Sequence, residues 1–324
     1  MKCVKSIFCG AIILMAMEIF AAPYVTNVVA KQRYPWGIVD ISCEVKGVEA
    51  KDKGLEFTID AVSSNSGIAS KTSHVYFRGD NASELEVTTN GVYRFVWDTN
   101  KDIGICHNNN MIIRVSILQA KVQLWEDGPY WATRNIGANE PWEYGYYFWW
   151  GDTVGYKREN DKWVANDGSN SDYSFAWGAP TYSKSDSELQ SKGWITAEGF
   201  LTPEHDAAQV HWGGKWRMPT SQEFEDLYSK CDWVWEPMNG VNGYVVRGRG
   251  IYASNSIFLP CAGTGENIWI RYVGLRGSYW TSIPNSSSTS FAYSLYFLSD
   301  DLSAKCNSDR NYGLPVRPLQ GFTK

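Results

Sequence analysis

Outside its N-terminus the sequence has no apolar run near the roughly 20 residues that a helix needs to cross a bilayer. Its 30 Lys and Arg form no block but are interspersed with 35 Asp and Glu, for a formal net charge of -5. A chain of that pattern has no electrostatic footprint for a polyanion, which argues against nucleic acid as a partner. There is no Gly-x-Ser-x-Gly elbow, no zinc-protease motif and no fixed-period repeat. Histidine is scarce, at four residues. These absences point away from the common hydrolases and from solenoids.

What is abundant is aromatic: 16 Trp and 19 Tyr, with 29 Gly, among 324 residues. With 20% charged residues this is the composition of an ordered, loop-rich globular protein, long enough for two domains. Residues 1–22 fit a secretory signal. Lys2 and Lys5 precede an apolar run from Ile7 to Met17, and the small pair Ala21-Ala22 stands before Pro23. The expected destination is therefore periplasmic, cell-surface or extracellular, with a retained N-terminal anchor as the alternative.

Cleavage there leaves Cys43, Cys106, Cys231, Cys261 and Cys306. The number is odd, so at least one thiol stays free or pairs elsewhere. Export permits disulfides without requiring them.

Between residues 23 and 118 the dominant period is two. Val39, Ile41, Cys43 and Val45 alternate with polar residues, as do Leu55, Phe57, Ile59 and Ala61, and again Ile113, Val115 and Ile117. Such strands, separated by polar turns, predict an all-β immunoglobulin-like sandwich. Cys43 faces inward and Cys106 precedes the last strand, so they either pair, contributing about 4 kcal/mol through loop closure, or are two buried free thiols.

From residue 119 to 324 the texture changes to crowded tryptophans and two helical signals. Thr202 followed by Pro203 predicts one helix start. In "WGGKWRMPTSQEFEDLY" (212–228) Thr220 and Glu223 form a capping box, and Phe224 and Leu227 supply an apolar face. Trp212, Gly213, Gly214, Trp216, Arg217, Pro219, Thr220 and Glu223 are read as a structural keystone rather than an active site.

Several ordered segments, among them "YWATRNIGA", "YFWWGD", "HDAAQVHWGGKWRMPTSQEFEDLYSKC" and the closing "YGLPVRPL" with Arg317, resemble the Fibrobacter major paralogous (FISUMP) domain over residues 122–319. The resemblance implies an α+β, C-type-lectin-like fold related to the sulfatase-modifying factors, with two helices on small mixed sheets. It also brings a test for chemistry. The catalytic relatives need a cysteine pair near the C-terminus, and Cys306 has no partner there. A clustered His-x-x-x-His-x-Glu set is likewise missing, since His205 and His211 are spaced otherwise.

Metals find little support in the sequence. Glu236, Pro237 and Asn239 give an interrupted lectin-type calcium motif. Asp98, Asn100 and Asp102 give a partial calcium loop with Asn109 where an acid belongs. No cofactor is expected, and calcium lacks a complete motif. Loop aromatics remain, and Trp142, Tyr144, Tyr147, Trp149 and Trp150 are the candidate ligand-binding residues, because flat rings with polar edges stack on sugars or anchor proteins. The expectation is an exported non-catalytic protein that binds a glycan or surface partner. The alternatives are an enzyme of the sulfatase-modifying fold with an unrecognised site, or a structural envelope protein.

Overall fold

The computed structural model describes residues 23–33, 37–48, 54–63, 69–70, 75–78, 85–103 and 111–321. The secretory segment and Cys106 lie outside them.

The first unit is two antiparallel sheets packed face to face. One orders the strands Tyr24–Gln32, Ile38–Lys46, Gly91–Asp98 and Val75–Phe77. The other centres on Leu55–Ser63, flanked by Ala69–Ser70, Glu86–Val87 and Met111–Gln119. The period-two pattern dictates this arrangement, because alternate side chains must leave water together. Ile41, Cys43, Val45, Phe57, Ile59, Phe95 and Trp97 share one core. Phe57 lies edge-on to Phe95 and Tyr93, at 4.9 and 4.8 Å. Cys43 is a buried free thiol, and burial pushes its pKa up to about 11, so it behaves as a small apolar filler.

No loose linker follows. Ala120 alone separates the strands Met111–Gln119 and Lys121–Gln123, and its N–H donates to Gly54 O at 2.9 Å. Gly54 sits at φ +70, where an added Cβ would meet Lys121 O at 2.2 Å. The joint therefore needs glycine both for its backbone angle and for the close approach. Lys121 Nζ donates to Gln320 Oε1 at 2.9 Å and lies within 3.8 Å of Glu56 and 3.6 Å of Glu86.

The second unit corrects the expected fold class. The described chain is mostly β, with 44% strand and 12% helix and no closed barrel, not an α+β, C-type-lectin-like arrangement. Its sheets are small, and every pairing within them is antiparallel rather than mixed. The helical signals are real but short. Many of the strands have two to five residues, too few to show a period, and the longer Gly277–Pro284 is buried along almost its whole length and so does not alternate.

The capping box forms as expected. Glu223 N–H donates to Thr220 Oγ1 at 3.2 Å, and Thr220 N–H to Glu223 Oε2 at 2.9 Å, starting the helix Ser221–Lys230. Phe224 and Leu227 bury its inner face against Trp131, Tyr279 and Leu295. Each such buried side chain contributes about 1.5–3 kcal/mol. The preceding helix, Ala207–Trp212, is capped by Asp206 and not by Thr202. Asp206 wins because its carboxylate accepts from Ala208 and Gln209 N–H and also from Met218 N–H across the turn. A third helix, Asp186–Ser191, has its own capping box from Ser185 and Glu188.

The keystone stretch ties these parts together. Gly213 and Gly214 both have positive φ, letting Trp212 meet Trp216 edge-on at 4.8 Å. Arg217 donates to both Glu223 oxygens and to Gly321 O. Pro219 O accepts from Ser282 N–H at 2.8 Å. One carboxylate, Glu223, thus caps a helix and anchors the bidentate arginine.

Candidate ligand-binding surface

The expected ligand-binding residues divide when placed in the fold. Tyr147 and Trp150 are buried, which corrects their assignment as ligand contacts. Tyr147 OH donates to Ala262 O at 2.6 Å, and Trp150 Nε1 to Thr281 O at 2.9 Å. The Arg310 guanidinium stands 4.9 Å from the Trp150 ring. The cause is tertiary, since this segment bridges Tyr147 to Tyr156 and Phe148 to the distant Leu314 and so runs through the core. Trp142, Tyr144 and Trp149 are half-buried. Trp149 faces Trp194 at 5.9 Å, and Trp194 stacks on His205 at 3.7 Å.

Next to Trp149 and Trp150, Asp152 is buried and closes its own turn, accepting from Val154 N–H at 3.0 Å and Gly155 N–H at 3.1 Å. Burial first, and the charge of Asp167 as a lesser cause, raise its pKa to about 7. Near it Tyr156 and Tyr173 stack at 3.9 Å, and burial raises both phenols. Burial also lowers the pKa of His205, and His211 Nε2 lies 3.0 Å from Thr153 O. A carboxyl titrating near neutrality is the chemistry of a general acid or base, but its oxygens are spent on backbone N–H groups within one turn. Asp152 shapes the loop.

Its titration still has a consequence. The folded chain holds this proton up to about 7, against an ordinary value of 3.8, and so binds more protons than the unfolded chain between those values. The contribution of Asp152 to stability is fully present below the lower value and lost as pH rises through the upper one. The difference in unfolding free energy between wild type and Asp152→Asn should therefore fall across that window in denaturant titrations at stepped pH. A flat difference would refute the assignment. His205 and the buried Asp206 titrate in both proteins and cancel.

Several large apolar side chains that do meet solvent lie elsewhere. Trp269 is 50% exposed, Tyr272 55%, Leu275 64% and Trp177 62%. Three of these belong to the hairpin of strands Thr264–Glu266 and Trp269–Arg271 and the turn after it. Asn267, at φ 52, makes the tip. The hairpin backbone is fixed from behind: Asn267 O accepts from Phe175 N–H at 3.0 Å, and Ile268 O from Arg158 Nη1 at 2.6 Å. Arg276 covers Tyr272 at 4.3 Å and lies within 3.6 Å of Glu266. The first contact brings the short helix Phe175–Trp177 alongside, where Trp177 meets Tyr173 edge-on at 5.2 Å.

This hairpin was missed in sequence, although "NIWIRYVGL" (267–275) carries the signal: a turn-forming Asn followed by apolar and aromatic residues that no helix period accommodates. The candidate calcium residues turn to other partners. Glu236 accepts from Arg247 at 2.9 Å, Asp102 accepts from Trp97 Nε1 at 2.8 Å, and Asp98 lies 3.7 Å from Lys101. Among the described residues no three His, Cys, Asp or Glu are grouped to hold a metal ion. No family model, curated protein or solved structure matches the chain.

Proposed function

We propose that this chain is an exported, non-catalytic binding protein that takes a glycan on the aromatic hairpin around Trp269 and Tyr272. The observation that carries the reading is the concentration of solvent-facing Ile268, Trp269, Tyr272, Val273 and Leu275 on one anchored hairpin. Scattered apolar side chains on a surface need no explanation, but a gathered set supports a docking role. Flat rings beside Arg271 and Asn267 suit a ligand with apolar faces and polar edges, which is the character of a sugar. The sequence likeness of residues 122–319 to the FISUMP domain and the secretory pattern of residues 1–22 belong to the same reading. Among the described residues no helix is long and apolar enough to cross a membrane.

The purified protein, titrated with soluble and insoluble polysaccharides in calcium and in chelator, should bind at least one saturably. Trp269→Ala should weaken that binding about tenfold or more, while changing stability by less than about 0.5 kcal/mol, as expected of an exposed side chain. Absence of saturable binding across the panel, or binding indifferent to Trp269, would sink the reading.

A further inference from the structure

Most arginines of the second unit that are withdrawn from water have acceptors. Arg217 and Arg276 pair with carboxylates, and Arg310 and Arg317 donate to carbonyls. Arg134 differs. It is half-buried, and one side of its guanidinium is backed by the Trp212 ring at 5.4 Å. Among the described residues no hydrogen bond or ion pair engages its five N–H donors. It opens instead on a cleft of about 280 Å³ lined also by Thr133, Asn139, Glu140, Met238 and Phe258.

From this geometry we infer that the Arg134 cleft is a second binding site, for a small monocarboxylate with the bulk of a single acidic sugar. The inference does not rest on the aromatic hairpin. A guanidinium remains charged in proteins, and one with no protein acceptor keeps only water on its donors until an anion arrives. A carboxylate offers two oxygens in the plane that the guanidinium fork fits. The cleft is at the small end of ligand pockets, which run from about 300 Å³ upward, so it suits one ring rather than a chain.

Charge selects further. Burial draws the Arg134 pKa down, and the carboxylates of Glu56 and Glu140 act in the opposite direction. Two negative groups close enough to act on Arg134 repel a doubly charged phosphate more than a single carboxylate. Met238, Phe258 and Pro141 supply apolar wall for the body of the ligand.

Calorimetric titration of the intact protein with glucuronate, its methyl ester, glucose and inorganic phosphate tests the inference. Glucuronate should bind saturably and weaken with rising salt, while the ester and glucose should not bind. Glu140→Gln, at an exposed rim position, should tighten glucuronate about threefold or more, the size of one partly screened charge. Arg134→Gln should abolish binding and Arg134→Lys should retain part of it, since a point charge replaces the fork. If Arg134→Gln fails to fold, the ester and Glu140→Gln still decide. No binding of glucuronate, equal binding of the ester, tighter binding of phosphate, or no effect of Glu140→Gln would each overturn the inference.

Discussion

Replacing Arg317 with methionine lowers the unfolding free energy by about 3–5 kcal/mol, the cost of breaking a buried charged network from one side. Arg317 is fully buried. Its Nε donates to Asn135 Oδ1 at 2.9 Å, Nη1 to Ala132 O at 3.2 Å and Nη2 to Phe258 O at 2.8 Å. One side chain thereby joins the strand Tyr130–Ala132, the loop after it and the strand Ser256–Pro260. Burial draws its pKa down to about 10, so the cation survives at neutral pH because acceptors surround it. Two effects oppose each other in the variant. Removing a buried charge relieves desolvation, but three acceptors lose their donor at about 1–3 kcal/mol each. The second effect wins because the partners stay behind, whereas a stabilising apolar swap replaces both sides at once. Arg317→Lys should fall between, keeping the charge without the fork. Arg247→Met, which breaks an exposed pair with Glu236, should cost under about 1 kcal/mol. Denaturant unfolding followed by tryptophan fluorescence makes the comparison, and equal losses for Arg317→Met and Arg247→Met would contradict it.

Trp150→Ala should cost about 3–5 kcal/mol, the range for emptying a large buried aromatic site. The indole is fully enclosed between Ala132, Leu189, Trp280 and neighbours of one core. Its loss also strips Thr281 O of a donor and Arg310 of the ring it covers. Trp150→Phe keeps much of the packing and loses the N–H bond, so about 1–2 kcal/mol is expected. Any variant at this position that still folds should bind the same ligands as wild type. Trp269→Ala gives the reverse pattern, with stability kept and binding lost. Measuring both properties on both variants separates a core tryptophan from a contact tryptophan. A folded Trp150→Phe protein that no longer binds would restore that position to the ligand surface.

That contrast marks the limit of what the sequence discloses. The strand faces of Val39, Ile41, Cys43 and Val45 could be read because burial on one side leaves a period of two. The Thr220–Glu223 cap could be read because both partners lie within one turn. The same signal stands at Ser185 and Glu188, again within one turn. Whether a tryptophan is inside or outside leaves no such local trace. Trp149, Trp150 and Trp269 differ in what chain segments far away place upon them. Arg310 illustrates the same limit, with acceptors at Thr181, Lys184 and Phe291. The balance of helix and strand is hidden for a related reason. Capped helices announce themselves, while two-residue strands such as Trp216–Arg217 and Leu319–Gln320 exist only through their partners.

The strand Leu319–Gln320 sits inside its sheet, between Trp216–Arg217 and Tyr130–Ala132. Residues that a ribosome makes early, from Lys121 onward, thus find their neighbour only after almost 200 further residues have been added, as the Lys121 to Gln320 bond spans 199 positions. Closure of the second unit therefore cannot precede the synthesis of Gln320, and non-local pairing of this kind is slow to form because the loop must close before any contact rewards it.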